Sequence, residues 1–127
     1  MTSVEVPYSV ACVLPSLVVI DVTNEVAHAV AGAEAPSGIA FVTAGEGGLI
    51  RVNEREDGFF RDVDGLLERL VPLDTSGRES LLAVLLGARS EPVPFADRRL
   101  CLGRWQRVLV FGFTEDFVPE WHVTLVG

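Results

Sequence analysis

Asn53, Glu54, Glu56 and Asp57 place three carboxylates and an amide within five residues of one another. Carboxylates at that density can hold a hard divalent cation such as Mg²⁺, or divide the acid and base roles of a reaction. Asp62 follows Asp57 at a spacing that does not share one helix face, so both reach one ion only if the chain turns between them. The plainer reading is a solvated turn whose acids suit a helix N-terminus. A second stretch, residues 45–48, carries Gly45, Glu46, Gly47 and Gly48. Glycine-rich loops cradle phosphates through backbone N–H groups, but this one lacks the Lys and Ser/Thr of a P-loop and the following helix of a dinucleotide fold. A tight hairpin needing positive φ is the better reading. Two cysteines, Cys12 and Cys101, and two histidines, His28 and His122, give no metal-ligand spacing. The cysteines are expected to be buried free thiols. No metal site and no cofactor is expected, beyond Mg²⁺ held weakly by carboxylates.

The elements around these residues follow from periodicity. Ile50 and Val52 alternate with Arg51 and Asn53 as in a strand, and Asp57 with Gly58 then breaks it. Phe59, Val63, Leu66, Leu67 and Leu70 return at helical spacings. Residues 3–13 read as a strand with Val4, Val6, Tyr8 and Val10 on one face, and residues 17–20 as a short buried strand. Asp21 or Thr23 caps a helix striped by Val22, Val26 and Val30, with His28 off the stripe and exposed. Residues 38–43 form a strand, residues 80–86 a short helix closed by Gly87, and residues 91–95 a Pro-containing edge strand. Residues 100–113 give the strongest β signal, two strands or one bent at Gly103. There Trp105 is expected to pack in the core beside Gly103, with Gln106 facing a pocket. The last strand, residues 121–126, sets Trp121, Val123 and Leu125 against His122, which reads as a surface or interface residue. Sequential strands joined by turns imply an α+β fold: a largely antiparallel β-sandwich with two longer helices and one short helix packed against it.

The 127 residues fit a single domain, 1–127, with 49% apolar residues, 18 acids and 10 basic residues that are all Arg. A net charge of −8 argues against nucleic acid, since only Arg98, Arg99, Arg104 and Arg107 hint at a basic patch. Mean hydropathy is +0.37, yet no apolar run reaches the roughly 18–20 residues of a membrane helix, and no signal peptide is evident. Apolar surplus without a membrane segment points to burial between subunits, in a cytoplasmic protein.

Asn53 and Glu54 followed by Asp57 and Asp62, then Leu67, Val71 and Pro72, resemble the centre of the YjbQ family. Residues 19–26, Ser37 with Gly38, Leu86 with Gly87, Val93 with Pro94, and Leu102 with Gly103, Trp105 and Gln106 are similar to the family's other signposts, in order. The resemblance implies a YjbQ-like sandwich domain, a homotrimer with its pocket near the subunit boundary, and secondary thiamine-phosphate synthase-like transfer from a phosphate ester. It also implies two histidines and an arginine, and those positions hold Gly45, Ser80 and Phe117. With the acid/base and anion-binding groups absent there, the expectation is a trimeric scaffold that binds a small-molecule ligand or a partner without the family's chemistry. The alternatives are the transferase itself, or another enzyme using Glu46, Glu54 or Asp57. No catalytic set is intact. The candidate pocket gathers Gly45, Glu46, Asn53, Glu54, Asp57, Asp62, Ser80 and Gln106.

Overall fold

The run from Val108 to Phe111 is buried on both of its faces. In the computed structural model, which describes residues 9–127, Val108 and Val110 face one hydrophobic core while Leu109 and Phe111 face another. Strands buried on both faces lose the in-out alternation that marks a half-exposed strand.

The elements in order are β1 (Ser9–Val13), β2 (Val18–Asp21), α1 (Thr23–Ala31), β3 (Gly38–Ala44), β4 (Leu49–Glu54), α2 (Asp57–Leu70), α3 (Arg78–Leu86), β5 (Ser90–Ala96), β6 (Arg99–Leu100), β7 (Gln106–Gly112) and β8 (Trp121–Val126). They form two four-stranded sheets, β1-β2-β7-β4 and β6-β5-β3-β8, with every described pairing antiparallel. Val18, Ile20 and Ile50 of the first sheet meet Ala40, Val42, Val93 and Phe95 of the second, and the α1 stripe of Val22, Val26 and Val30 completes this inner core. On the other face of the first sheet, Val19, Leu49 and Leu109 meet Phe60 and Leu67 of α2 and Leu82 of α3. The result is the expected α+β sandwich, with helices α2 and α3 as a third layer. Helix α2 has 14 residues, while α1 and α3 have nine each.

Several local expectations need correction. Residues 45–48 do not close a hairpin, because β3 and β4 belong to different sheets. They form a turn closed by the Gly48 N–H donating to the Gly45 carbonyl, with Gly47 at φ 80°, and it carries the chain between sheets. Residues 100–113 hold two strands that also lie in different sheets. The apolar face of α2 is Phe60, Val63 and Leu67; Phe59 is 45% exposed. The helix begins at Asp57 behind the Glu56 cap, two residues before Phe59, and Phe60 rather than Phe59 faces the core. Trp105 is 65% exposed, in the turn between β6 and β7, where its ring takes only the Arg104 guanidinium at 4.9 Å. Cys101 is exposed and Cys12 half-buried, both free thiols. The prolines of β5 do not leave it a bare edge throughout, because β6 pairs with Phe95 and Ala96. Of the expected first strand, Val4, Val6 and Tyr8 lie outside the described residues.

Candidate functional site

The junction between β4 and α2 uses its acids for folding. Glu56 is the N-cap of α2, and its carboxylate accepts from the N–H groups of Gly58 at 2.7 Å and Phe59 at 2.9 Å. A charged acceptor on the orphan donors of a first turn stabilises a helix by about 1 kcal/mol. Asn53 donates to the Glu54 carbonyl at 3.1 Å. Asn53, Glu54, Glu56 and Phe59 line one cleft, while Asp57 lines another with Cys12 and Arg61. Asp62 is exposed farther along the helix.

The other candidate positions have structural surroundings of their own. Gly45 packs against Glu120 at the approach to β8, close enough that a Cβ there would meet the Glu120 Cβ at 2.7 Å. Glu46 is exposed in the turn. Gln106 Oε1 accepts the Gly103 N–H at 2.6 Å and tightens the turn before β7. Phe117 covers Gly112 so closely that a Cβ on that glycine would lie 2.2 Å from the ring. Ser80 lies in the first turn of α3.

Ser80 borders a cleft of about 460 Å³ between the start of α3 and the end of β7. Its walls include Leu73, Thr75, Arg78, Phe113, Thr114 and Glu115. Arg78, unremarked in the sequence, is only 7% exposed. Its Nε donates to the Val71 carbonyl at 2.8 Å and its Nη1 to the Phe113 carbonyl at 3.4 Å. Its Nη2 is buried with no hydrogen-bond partner. A polar residue opening a Leu-rich helix was the one available signal, and it reads equally as a solvated helix start.

A second polar cluster fastens the first sheet. Asp21, 3% exposed, accepts from Arg107 Nε at 2.9 Å and Arg55 Nη1 at 3.1 Å. Its other oxygen accepts from the Thr23 hydroxyl at 2.6 Å and the Thr23 N–H at 3.0 Å. Burial opposes its charge, but the Thr23 hydroxyl, Arg107 and the Thr23 N–H outweigh that and hold the carboxyl below its ordinary 3.8. Val22 is the formal N-cap of α1, and Asp21 serves the helix from one residue earlier. Glu25 on the same helix is pushed up, by burial first and by the Asp21 charge, and its Oε1 is buried without a partner. Burial likewise raises the Cys12 thiol, which disfavours a thiolate nucleophile there. Among the described residues, no three His, Cys, Asp or Glu side chains converge as a metal site. His28 and His122 are exposed.

The fold is shared with known proteins. A UPF0047 protein of Archaeoglobus fulgidus is 34% identical over 105 residues, covering 75% of this chain and 80% of the relative. A YjbQ/UPF0047 structure from Clostridium acetobutylicum superposes with a TM-score of 0.76 at 23% identity, over 87% of this chain and 92% of that one. A hypothetical protein from Aeropyrum pernix gives 0.77 at 22% identity, over 94% and 96%. These two share the fold. Residues 15–125, from the turn before β2 to the last strand, match the family model described as UPF0047 protein YjbQ-like, and with that span the chain belongs to the YjbQ-like UPF0047 family.

Proposed function

We propose that this protein is a small-molecule-binding scaffold, a homotrimer in the cytoplasm, that uses the cleft at the start of α3 and does not run a phosphate-ester transfer. The observation that carries this reading is that a glycine, a serine and a phenylalanine stand where acid/base and anion-binding groups were expected. Gly45 packs on Glu120, Phe117 seals Gly112, and Ser80 alone borders the α3 cleft. A transfer reaction needs its proton donor, its acceptor and its charge stabiliser around one bond. The cleft has the dimensions and mixed lining of a ligand site: apolar walls from Leu73 and Phe113, with Thr75, Arg78 and Thr114 among its polar groups. In this reading the protein holds no metal tightly. A thermal-melting screen against small metabolites, with and without Mg²⁺, tests it. A metabolite that raises the melting temperature without being consumed, independently of Mg²⁺, is the expected result. A phosphate ester that stabilises only with Mg²⁺ and is turned over would establish the transferase instead.

A further inference from the structure

Arg78 carries a full charge into the protein and meets only neutral partners there. Its two hydrogen-bond acceptors are the carbonyls of Val71 and Phe113, and its Nη2 has none. The two ion pairs found among the described residues both fall on Asp21. A buried guanidinium without a counter-charge is costly, so the arrangement calls for an anion from outside the fold. Helix α3 contributes to the same spot. Its N-cap, Gly77, supplies no side-chain oxygen, and the first backbone bond of the helix is the Leu81 N–H to the Gly77 carbonyl at 3.1 Å. The N–H groups of Arg78, Glu79 and Ser80 therefore stand at the positive end of the helix beside the guanidinium. The Thr75 and Thr114 side chains, half-buried, stand in the same lining.

Exposed Glu79 and Glu115 also border this cleft. Two carboxylates near the mouth disfavour a dianion and favour a ligand that brings a positive group of its own. We propose that the cleft binds a small zwitterion of the amino-acid type, with its carboxylate on Arg78 and the α3 N–H groups and its ammonium toward Glu79 and Glu115. This rests on the cleft being the binding site, and it names the class of ligand held there.

The test is calorimetric titration of the full chain with glycine, acetate and inorganic phosphate, alongside NMR of the Arg78 Nε–H. Glycine is expected to bind more tightly than acetate, phosphate most weakly, and glycine and acetate both shift the Arg78 resonance. Arg78→Met keeps the bulk of the side chain and removes the buried charge. It leaves the Val71 and Phe113 carbonyls without their donor, so a lower melting temperature is expected, and the folded variant should lose roughly tenfold or more in glycine affinity, the order expected for a charge-assisted contact. Should that variant fail to fold, Arg78→Lys keeps the charge without the fork and should weaken glycine binding while the protein stays folded. Glu115→Gln should weaken glycine but not acetate. The proposal is overturned if phosphate binds more tightly than glycine, or if acetate matches glycine. It is also overturned if the Arg78 variant that folds binds glycine as the wild type does, or if Glu115→Gln destabilises the ligand-free protein, which would make Glu115 the missing counter-charge. An uncharged compound that stabilises the protein and shifts the Thr75 and Thr114 amides, with no response to glycine or acetate, would overturn the zwitterion and leave the cleft as a binding site.

Discussion

Single residues carry much of the difference between this fold's shell and an acid/base site. Phe117 lies on the bare Cα of Gly112 at the end of β7, and a methyl group on Gly112 would sit inside the ring. Gly112→Ala is therefore expected to cost about 1–3 kcal/mol by overpacking. Adding Phe117→Ala should recover part of that loss in a double-mutant cycle read from denaturation curves; strict additivity would mean that the two residues do not meet. The buried carboxylates make opposite contributions with pH. The depressed Asp21 stabilises the fold above its ordinary value of 3.8, and that stability disappears as pH falls through the folded value below it. Its two guanidinium partners are each over a third exposed and screened, so Asp21→Asn should cost about 2 kcal/mol at neutral pH, less than a fully buried pair. The gap between variant and wild type should close in acid. Glu25 is raised, so its ionisation weakens the fold above 4.5. Glu25→Gln should stabilise at neutral pH and lose that advantage as pH falls through 4.5; denaturant melts across pH read both signs.

At the scale of elements, Phe60 and Trp105 decide which aromatics hold the molecule together. Phe60 is fully buried and meets Phe111 edge-on at 6.2 Å between ring centroids. Phe60→Ala should cost about 3–5 kcal/mol. Phe59→Ala and Trp105→Ala should each stay within about 1 kcal/mol, as exposed aromatics with few partners do. Equal losses at all three positions would contradict the observed phase of α2. The periodic signals were legible where one face packs and the other does not: Val22, Val26 and Val30 on α1, and Trp121, Val123 and Leu125 on β8. Strand β7 was legible as a strand but not as a central one, because a run buried on both faces has no alternation to orient it. The turn at residues 45–48 was legible as a turn, yet nothing in four residues says whether the next strand stays in the same sheet. The α2 stripe was read from Phe59, and its neighbour Phe60 is the ring that packs on Phe111.

On the whole molecule, the expected α+β sandwich is the observed one, and the candidate site is where local reading stopped short. Asn53, Asp57 and Ser80 line three different clefts, a placement set by long-range packing. Arg78 gave no signal because its significance lies in its burial. The apolar surplus noted in the sequence has a location: Leu81, Val84 and Leu85 on α3 are 47%, 82% and 64% exposed. An exposed apolar group of this kind is what a second copy would cover in the proposed homotrimer. Light scattering at micromolar concentration should return three times the 13.7 kDa of the chain, and a monomer mass would reject the trimer.

The measurement that bears most directly on the central claim is an amide ¹H–¹⁵N map of the protein with the compound that stabilises it best. The α3 cleft as the binding site predicts shifts concentrated at Thr75, Glu79, Ser80 and Thr114. Shifts concentrated at Asn53, Glu54 and Gly58, with those four unmoved, would contradict it and return the site to the strand–helix junction.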